Sequence, residues 1–254
     1  MTRIATFNVN GVNGRLPVLL RWLGETTSDV VCLQELKTSD EKFPEEAGFS
    51  SIWHGQKSYN GVAILSRKDF ISERRRGLPG DPDDTHSRYI EAEVGGIIVG
   101  CLYLPNGNPA PGPKFDYKLR WFERLINYAQ TLRDEGKPVV LCGDYNVVPT
   151  PIDAVAPNRW VGDAVFFPQS RAAYQEMLED GWLDAVRRVH PEKGVYTYWN
   201  FSFRGGYDKS SGLRMDHLLV NDKGAELLTD AGVDAHTRGW EKPSDHAPAW
   251  IDLG

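Results

Sequence analysis

Twice along the chain an apolar strand, an amphipathic helix and a second apolar strand follow one another without a linker. "RIATFNVNG" ends in a turn, "RLPVLLRWLGE" carries Leu16, Leu19, Leu20 and Leu23 at helical spacing, and "DVVCLQE" reads as a buried strand. Later the order recurs in "IIVGCLYLPNG", in "KLRWFERLINYAQTL" with Leu119, Phe122, Ile126 and Ala129 on one face, and in "PVVLCGDYN". Both helices carry Leu-Arg-Trp, at 20–22 and 119–121, which suggests an internal duplication of one strand, helix, strand unit. "GVAILS" and "YIEAEV" look like hairpin strands, and "VYTYW", "MDHLLVN" and "APAWIDL" are further strand candidates. "SRAAYQEMLEDG" reads as a short helix with Gly181 as its C-cap. Two sheets packed face to face, each covered by helices on its outside, accommodate this order. Nothing beside the Pro- and Gly-rich "YLPNGNPAPGPK" looks like a boundary, so residues 1–254 are expected to form a single domain.

Composition narrows the function classes. Hydrophobic content of 41% and charged content of 25% are those of an ordinary globular protein. No apolar run is long enough to span a bilayer, and strand-like sequence from Arg3 or Ile4 leaves no room for a signal peptide, so a cytoplasmic protein with no membrane association is expected. Cys32, Cys101 and Cys142 sit inside apolar runs, outside any metal-binding spacing, and read as buried thiols. The net charge of −6 argues against holding nucleic acid by bulk positive charge, but a site built of metal-binding carboxylates is acidic by nature. "ERRRG", at Arg74 to Arg76, is either a solvated loop or a phosphate contact.

The chemistry gathers at strand ends. Asn8 interrupts the apolar run of the first strand, whereas Asn10-Gly11 is explained by a turn. Glu35, after four apolar residues and Gln34, is either a solvated strand end or a ligand. In "VVLCGDYN", Gly143 permits close backbone approach, and Asp144 and Asn146 share one side of the strand as carboxylate and amide. Hard divalent cations take such oxygen donors. Asp216 precedes an apolar run, where a buried carboxylate needs a partner such as an imidazole. "SDHAP" supplies one in His246, beside Asp245, although Ser, Asp and Pro are also ordinary turn residues.

Taken in order, "FNVNG", "LQE", "YLPNG", "GDYN", "LRMDHLL" and "SDHAP" resemble the exonuclease III family of abasic-site endonucleases, within the endonuclease/exonuclease/phosphatase superfamily. The likeness runs from end to end, with "HGQKSYNGVAILS" and "RRRGLPGD" adding to it. It implies an α/β fold of the DNase I-like kind, a four-layer αββα sandwich of two packed mixed β-sheets flanked by helices. It also implies a Mg²⁺-dependent DNA repair nuclease, with Mn²⁺ as a substitute, that cuts the phosphodiester 5′ to abasic sites and trims 3′ ends. Its partner would be double-stranded DNA with abasic or 3′-blocked lesions, met by a monomer in the cytoplasm and associated with the nucleoid in a prokaryote.

Carried over position by position, the resemblance makes Glu35 the principal metal ligand with Asn8 beside it. Asp144 becomes the residue that positions and deprotonates the attacking water, Asn146 the residue that orients water and phosphate, and Tyr103 the phenol on the scissile phosphate. Asp245 matches a metal-side carboxylate and His246 an imidazole on the phosphate, oriented by Asp216. The residues expected around the metal are thus Asn8, Glu35, Asp144, Asn146, Asp245 and His246. Tyr198, Leu213 and Met215 match the walls of a pocket for a flipped abasic sugar, and Lys57, Tyr59 and Asn60 a duplex-gripping loop; core packing and a solvated loop are the competing explanations. The Gly- and Ser-rich stretch 202–212 is expected to be a mobile loop that touches DNA. Tyr145 stands where Met or Phe is usual and should face away from the site, and Asn106 replaces a Gln found in some members. The segment 152–167 diverges most, which leaves the balance between abasic incision and 3′-end processing open. Two other classes compete: a superfamily phosphodiesterase acting on small phosphate esters or lipid headgroups, and a nucleic-acid-binding regulator with a disabled site, which would lack at least one of these residues.

Overall fold

A computed structural model describes residues 1–44, 48–67, 70–192, 194–201 and 209–254. Its elements are β1 (Thr2–Asn8), α1 (Leu16–Glu25), β2 (Val30–Gln34), β3 (Ser50–His54), β4 (Val62–Ser66), β5 (Ser72–Arg76), β6 (Tyr89–Val94), β7 (Ile97–Tyr103), α2 (Pro113–Arg133) and β8 (Val139–Asp144). They continue with α3 (Pro168–Glu179), β9 (Leu183–Asp184), α4 (Ala185–Val189), β10 (Asp216–Val220), α5 (Asp222–Leu227), β11 (Leu228–Val233) and β12 (Ala249–Leu253). One six-stranded sheet has the order β11-β12-β1-β2-β4-β3 and the other β5-β6-β7-β8-β10-β9.

Period-two alternation separates the inner and outer faces of each sheet. Ile4, Cys32 and Ile64 of the first sheet meet Ile90, Val99, Cys101, Cys142 and Leu218 of the second in one central core. The intervening residues Ala5, Phe7, Val31 and Leu33 turn outward to Leu19, Trp22 and Leu23 of α1. On the opposite side Ile98, Leu102 and Leu141 turn outward to Trp121, Phe122 and Leu125 of α2 and to Tyr174 and Met177 of α3. The result is the expected four-layer sandwich of two mixed sheets flanked by helices.

The suggested duplication has a structural counterpart. Each sheet contains one parallel pair, β1 with β2 and β7 with β8, whose crossover helices are α1 and α2. These pairs occupy equivalent places in the two strand orders. The tryptophans of the two Leu-Arg-Trp triplets, Trp22 and Trp121, are both buried.

Of three local expectations two fail. "ERRRG" is neither loop nor free cation: Arg74 to Arg76 end the edge strand β5, where Arg74 pairs with Glu91 at 2.9 Å, Arg75 donates to the Tyr128 hydroxyl and Arg76 pairs with Glu73. "GVAILS" and "YIEAEV" are strands of antiparallel pairs as expected, β4 with the preceding β3 and β6 with the following β7, in different sheets. "VYTYW" forms isolated bridges from Tyr198 to Leu213 and His246 in place of a strand, because its backbone crosses from one catalytic segment to the other.

Candidate active site

Register brings the polar strand ends together. Tyr103 of β7 lies opposite Asp144 of β8, and Asp144 lies opposite Asp216 of β10, so three adjacent strands present their side chains at one level. In the facing sheet Asn8 ends β1 beside Gln34, and Glu35 follows. Gly143 makes the close pairing of β7 with β8 possible: its φ is +154°, and a Cβ there would lie 1.8 Å from the Leu102 carbonyl oxygen. Beyond the strands the chain turns sharply, with Asn10, Glu35 and Asn146 at φ 47°, 54° and 48°. Left-handed backbone at three non-glycine residues around one cleft is strain of the kind that functional sites retain.

Glu35, Asp144 and His246 each offer a ligand atom within 4.8 Å of the others. Asn8 bridges the two acids, donating from Nδ2 to Glu35 Oε1 at 2.9 Å and Asp144 Oδ2 at 3.0 Å, while its Oδ1 accepts the Asn10 N–H. Asn146 donates from Nδ2 to Asp144 Oδ2 and to the Leu104 carbonyl, and its N–H reaches Asp144 Oδ1 at 2.8 Å. Both amides therefore turn their NH₂ groups to the acids. Asp245 stands beside this group, held by Asn10 Nδ2 at 2.9 Å and near the Ser244 hydroxyl.

His246 is buried, with Nδ1 2.8 Å from Asp216 Oδ2 and Nε2 3.8 Å from Asp144 Oδ2. Burial works against its charge, but the Asp216 carboxylate and its hydrogen bond prevail and raise the imidazole to about 10. With Nδ1 committed to Asp216, Nε2 is the atom that His246 turns towards Asp144, a donor when the ring is charged and a lone pair for a cation when it is neutral. Asp144 is raised as well, which for an acid favours the neutral form: burial first, then the charges of Asp216 and Glu35, push it up to about 7 although His246 opposes them. Glu35 stays below the usual carboxylate range in spite of its burial, because Asn8 donates to it and Lys37 pairs with it at 2.7 Å. Burial and the acids Glu35 and Asp144 push the Tyr103 phenol upward, which keeps it protonated. The Arg88 guanidinium lies 4.8 Å over its ring.

A divalent cation fits this donor set. Glu35, Asp144, Asp216 and Asp245 crowd carboxylates around one cleft, the Asp216 Oδ1 atom is buried with no partner among the described residues, and Asp144 is driven toward neutrality. Glu35 and Asp144 present hard oxygen donors of the type such ions take.

Next to the imidazole lies an apolar wall. Tyr198 packs its ring edge-on to His246 at 5.0 Å and bridges to Leu213, and Leu213 and Met215 are buried with Val148, Ala154, Val165 and Phe166. Of the second expected group, Lys57 and Tyr59 are exposed, whereas Asn60 is buried and donates to Gln56 Oε1 at 2.7 Å. Asn60 shapes its loop from within, and its carbonyl accepts the Lys37 N–H. Tyr145 faces away from the site, as expected, into the core with Tyr174 and His217. The expected loop 202–212 falls for residues 202–208 outside the described residues.

Sequence reasoning missed Asn10, Lys37 and Thr197. Asn10 and Lys37 hold Asp245 and Glu35, and Lys37 Nζ also donates to Asn10 Oδ1 at 2.6 Å. The fully buried Thr197 accepts the N–H groups of Met215 and Asp216, both at 3.1 Å. A turn explained Asn10 well enough that its amide was not followed further.

Residues 5–246 match the model of the endonuclease/exonuclease/phosphatase family. Exodeoxyribonuclease III of Haemophilus influenzae is 35% identical over 267 residues, covering 99% of each chain. Among solved structures, an AP endonuclease from Archaeoglobus fulgidus superposes with a TM-score of 0.94 at 37% identity, covering 100% of this chain and 99% of that one. A 3′ phosphatase from Neisseria bound to a product DNA hairpin gives 0.93 at 38% identity, covering 100% of both. The chain belongs to the endonuclease/exonuclease/phosphatase family, in its exonuclease III branch of abasic-site endonucleases, and is a phosphodiester-hydrolysing nuclease.

Proposed function

We propose that the protein is a Mg²⁺-dependent DNA repair nuclease that hydrolyses the phosphodiester 5′ to abasic sites and removes blocked 3′ ends. The observation that carries this reading is the convergence of Asp144 and the Asp216-held His246 on one cleft, beside the apolar wall of Tyr198, Leu213 and Met215. A phosphodiester is an anion that repels its nucleophile, so hydrolysis needs a base for water and positive donors on the phosphoryl oxygens. Asp144, steadied by Asn8 and Asn146, takes the proton from water as the water oxygen bonds to phosphorus. His246 and Tyr103 donate to the phosphoryl oxygens. The P–O3′ bond then breaks, and the departing 3′ oxygen takes a proton from solvent water while Asp144 returns its proton to solvent, leaving a 3′-hydroxyl and a 5′-phosphate.

Glu35, with Asp144, would hold Mg²⁺, which when bound would supply charge neutralisation in the transition state. Asp245, on the same side and fixed by Asn10, adds negative charge for that ion. Selectivity rests on the largely apolar wall, which suits a sugar that has lost its base. Exposed Lys57 and Tyr59 are placed on a loop that is hydrogen-bonded to the backbone just after Glu35, where they can grip the duplex. The relatives with 3′-phosphatase and exodeoxyribonuclease names support the 3′-end activity.

A substrate panel tests the proposal. Duplexes carrying a stable abasic analogue or a 3′-phosphate should be turned over far faster than undamaged duplex, and small phosphate esters hardly at all. Preferential turnover of inositol or lipid phosphate esters would overturn the reading. The chain lacks none of the polar residues expected of the site, which disfavours a disabled regulator.

A further inference from the structure

Lys118 lies on the buried face of α2, between Phe115 and Trp121, and is 0% exposed. A lysine there loses its hydration and survives only where its donors are fully used. The Nζ group meets three backbone carbonyls: Asn106 at 3.1 Å, Asn146 at 2.5 Å and Ala164 at 3.5 Å. They belong to three separate segments: the loop after β7, the turn after β8, and the divergent stretch 152–167. Burial lowers this amine to about 7 against the pull of the Asp144 and Asp163 charges, and in its ammonium form it has three donors, one for each segment.

The most consequential of these is Asn146. Its backbone is left-handed, at φ 48°, and its side chain and N–H hold both carboxylate oxygens of Asp144. Asn106, whose carbonyl Lys118 also binds, donates from Nδ2 to Asn146 Oδ1 at 2.9 Å. The third segment is tied back by Asn108, which donates to Asp163 Oδ1 at 2.9 Å and accepts the Ala164 N–H. Gly107 seals the arrangement: its φ is +90°, and a Cβ there would come within 2.7 Å of Lys118 Cδ.

We propose that Lys118 is a positioning residue of the hydrolytic site, whose ammonium clamps these three loops so that Asn146 holds the Asp144 carboxylate in the orientation that accepts a proton from water. The proposal rests on Asp144 being the base. Lys118 touches neither substrate nor water, and acts through Asn146.

The test uses full-length Lys118→Met and Lys118→Gln, each alone and combined with Asn146→Ala. Steady-state kcat and KM are measured on a damaged duplex that the wild type cleaves, with thermal unfolding of every variant. In the wild-type background kcat should fall roughly 10- to 100-fold, the cost of misplacing a catalytic group by about an ångström, while KM stays within about threefold. In the Asn146→Ala background the same substitution should cost less than about threefold, since residues that act as a unit are not additive. Lys118→Gln offers two N–H donors on a shorter side chain, too few to hold all three carbonyls, and is read where the Met variant does not fold. A folded variant with wild-type kcat, or an equal loss in both backgrounds, would overturn the proposal. Wild-type turnover on DNA tests the proposed function, and the ratio of variant to wild type tests Lys118.

Discussion

Asp144 receives two amide NH₂ groups and one backbone N–H, a level of restraint that leaves a carboxylate little rotational freedom. Asp144→Asn keeps the shape and removes the basic lone pair, so kcat should fall roughly 10²- to 10⁴-fold, the usual worth of general-base catalysis, with DNA binding retained. Single-turnover incision alongside a binding isotherm checks this, and a variant with near-normal turnover would remove Asp144 from the base role. His246→Ala should lower kcat about 10²- to 10³-fold, as loss of one donor to a developing oxyanion does. The Asp216→Asn variant should lose nearly as much, because it removes the negative charge that holds His246 protonated. At this scale much of the site was legible in the sequence, since Asn8, Glu35, Asp144 and Asp216 interrupt or end apolar strands where a charge demands a partner. Lys118 was equally visible as a cation within an apolar helical stripe. A stripe that starts at Leu119 does not include it, and the fold leaves Leu119 half-buried at the edge of that face.

Among the elements, β8 and β10 carry the most constraint. Gly143→Ala must move either its own backbone or that of Leu102, and should destabilise the fold by on the order of 3 kcal/mol or more, read as a lowered denaturation midpoint. On the far side of β10, the next residue His217 is buried between the Arg214 guanidinium, 3.0 Å from Nδ1, and the Val147 carbonyl. Burial first, then Arg214, lower this imidazole to about 4. The unfolded chain titrates near 6.5, so it binds more protons than the native state below that value. Stability from His217 is complete above about pH 6.5 and is lost as the pH falls towards 4, on the order of 3 kcal/mol in all. Urea unfolding between pH 7 and pH 4.5 should show that decline, and His217→Gln should flatten it; an unchanged slope would contradict the assignment. The elements that sequence patterning missed share a physical cause. Strand β5, "SERRR", is exposed along its whole length and β11 half so, and edge strands without a buried face have no apolar alternation to read.

Across the whole molecule, two similar half-structures meet at one end of their shared core, and each contributes part of the site. The first sheet brings Asn8 and Glu35, the second Tyr103, Asp144 and Asp216, and the turn before β12 carries Asp245 and His246 across the gap. Adjacent residues of a regular strand point to opposite faces, so that turn is what lets an acid and an imidazole serve the same cleft. Because the cation would bind only the native arrangement, Mg²⁺ should raise Tm, and Glu35→Gln should abolish the increase. An equal increase in both proteins would place the ion elsewhere. The central claim, that a metal-assisted Asp144 hydrolyses DNA at baseless sites, is tested most directly with a labelled duplex bearing one stable abasic analogue, incubated with Mg²⁺ or with chelator. Wild-type protein should cut immediately 5′ to the lesion with Mg²⁺ alone, and neither chelated wild type nor Asp144→Asn with Mg²⁺ should cut appreciably. Incision that persists in chelator or in the Asn variant, or no lesion-directed cut by wild type with Mg²⁺, would contradict it.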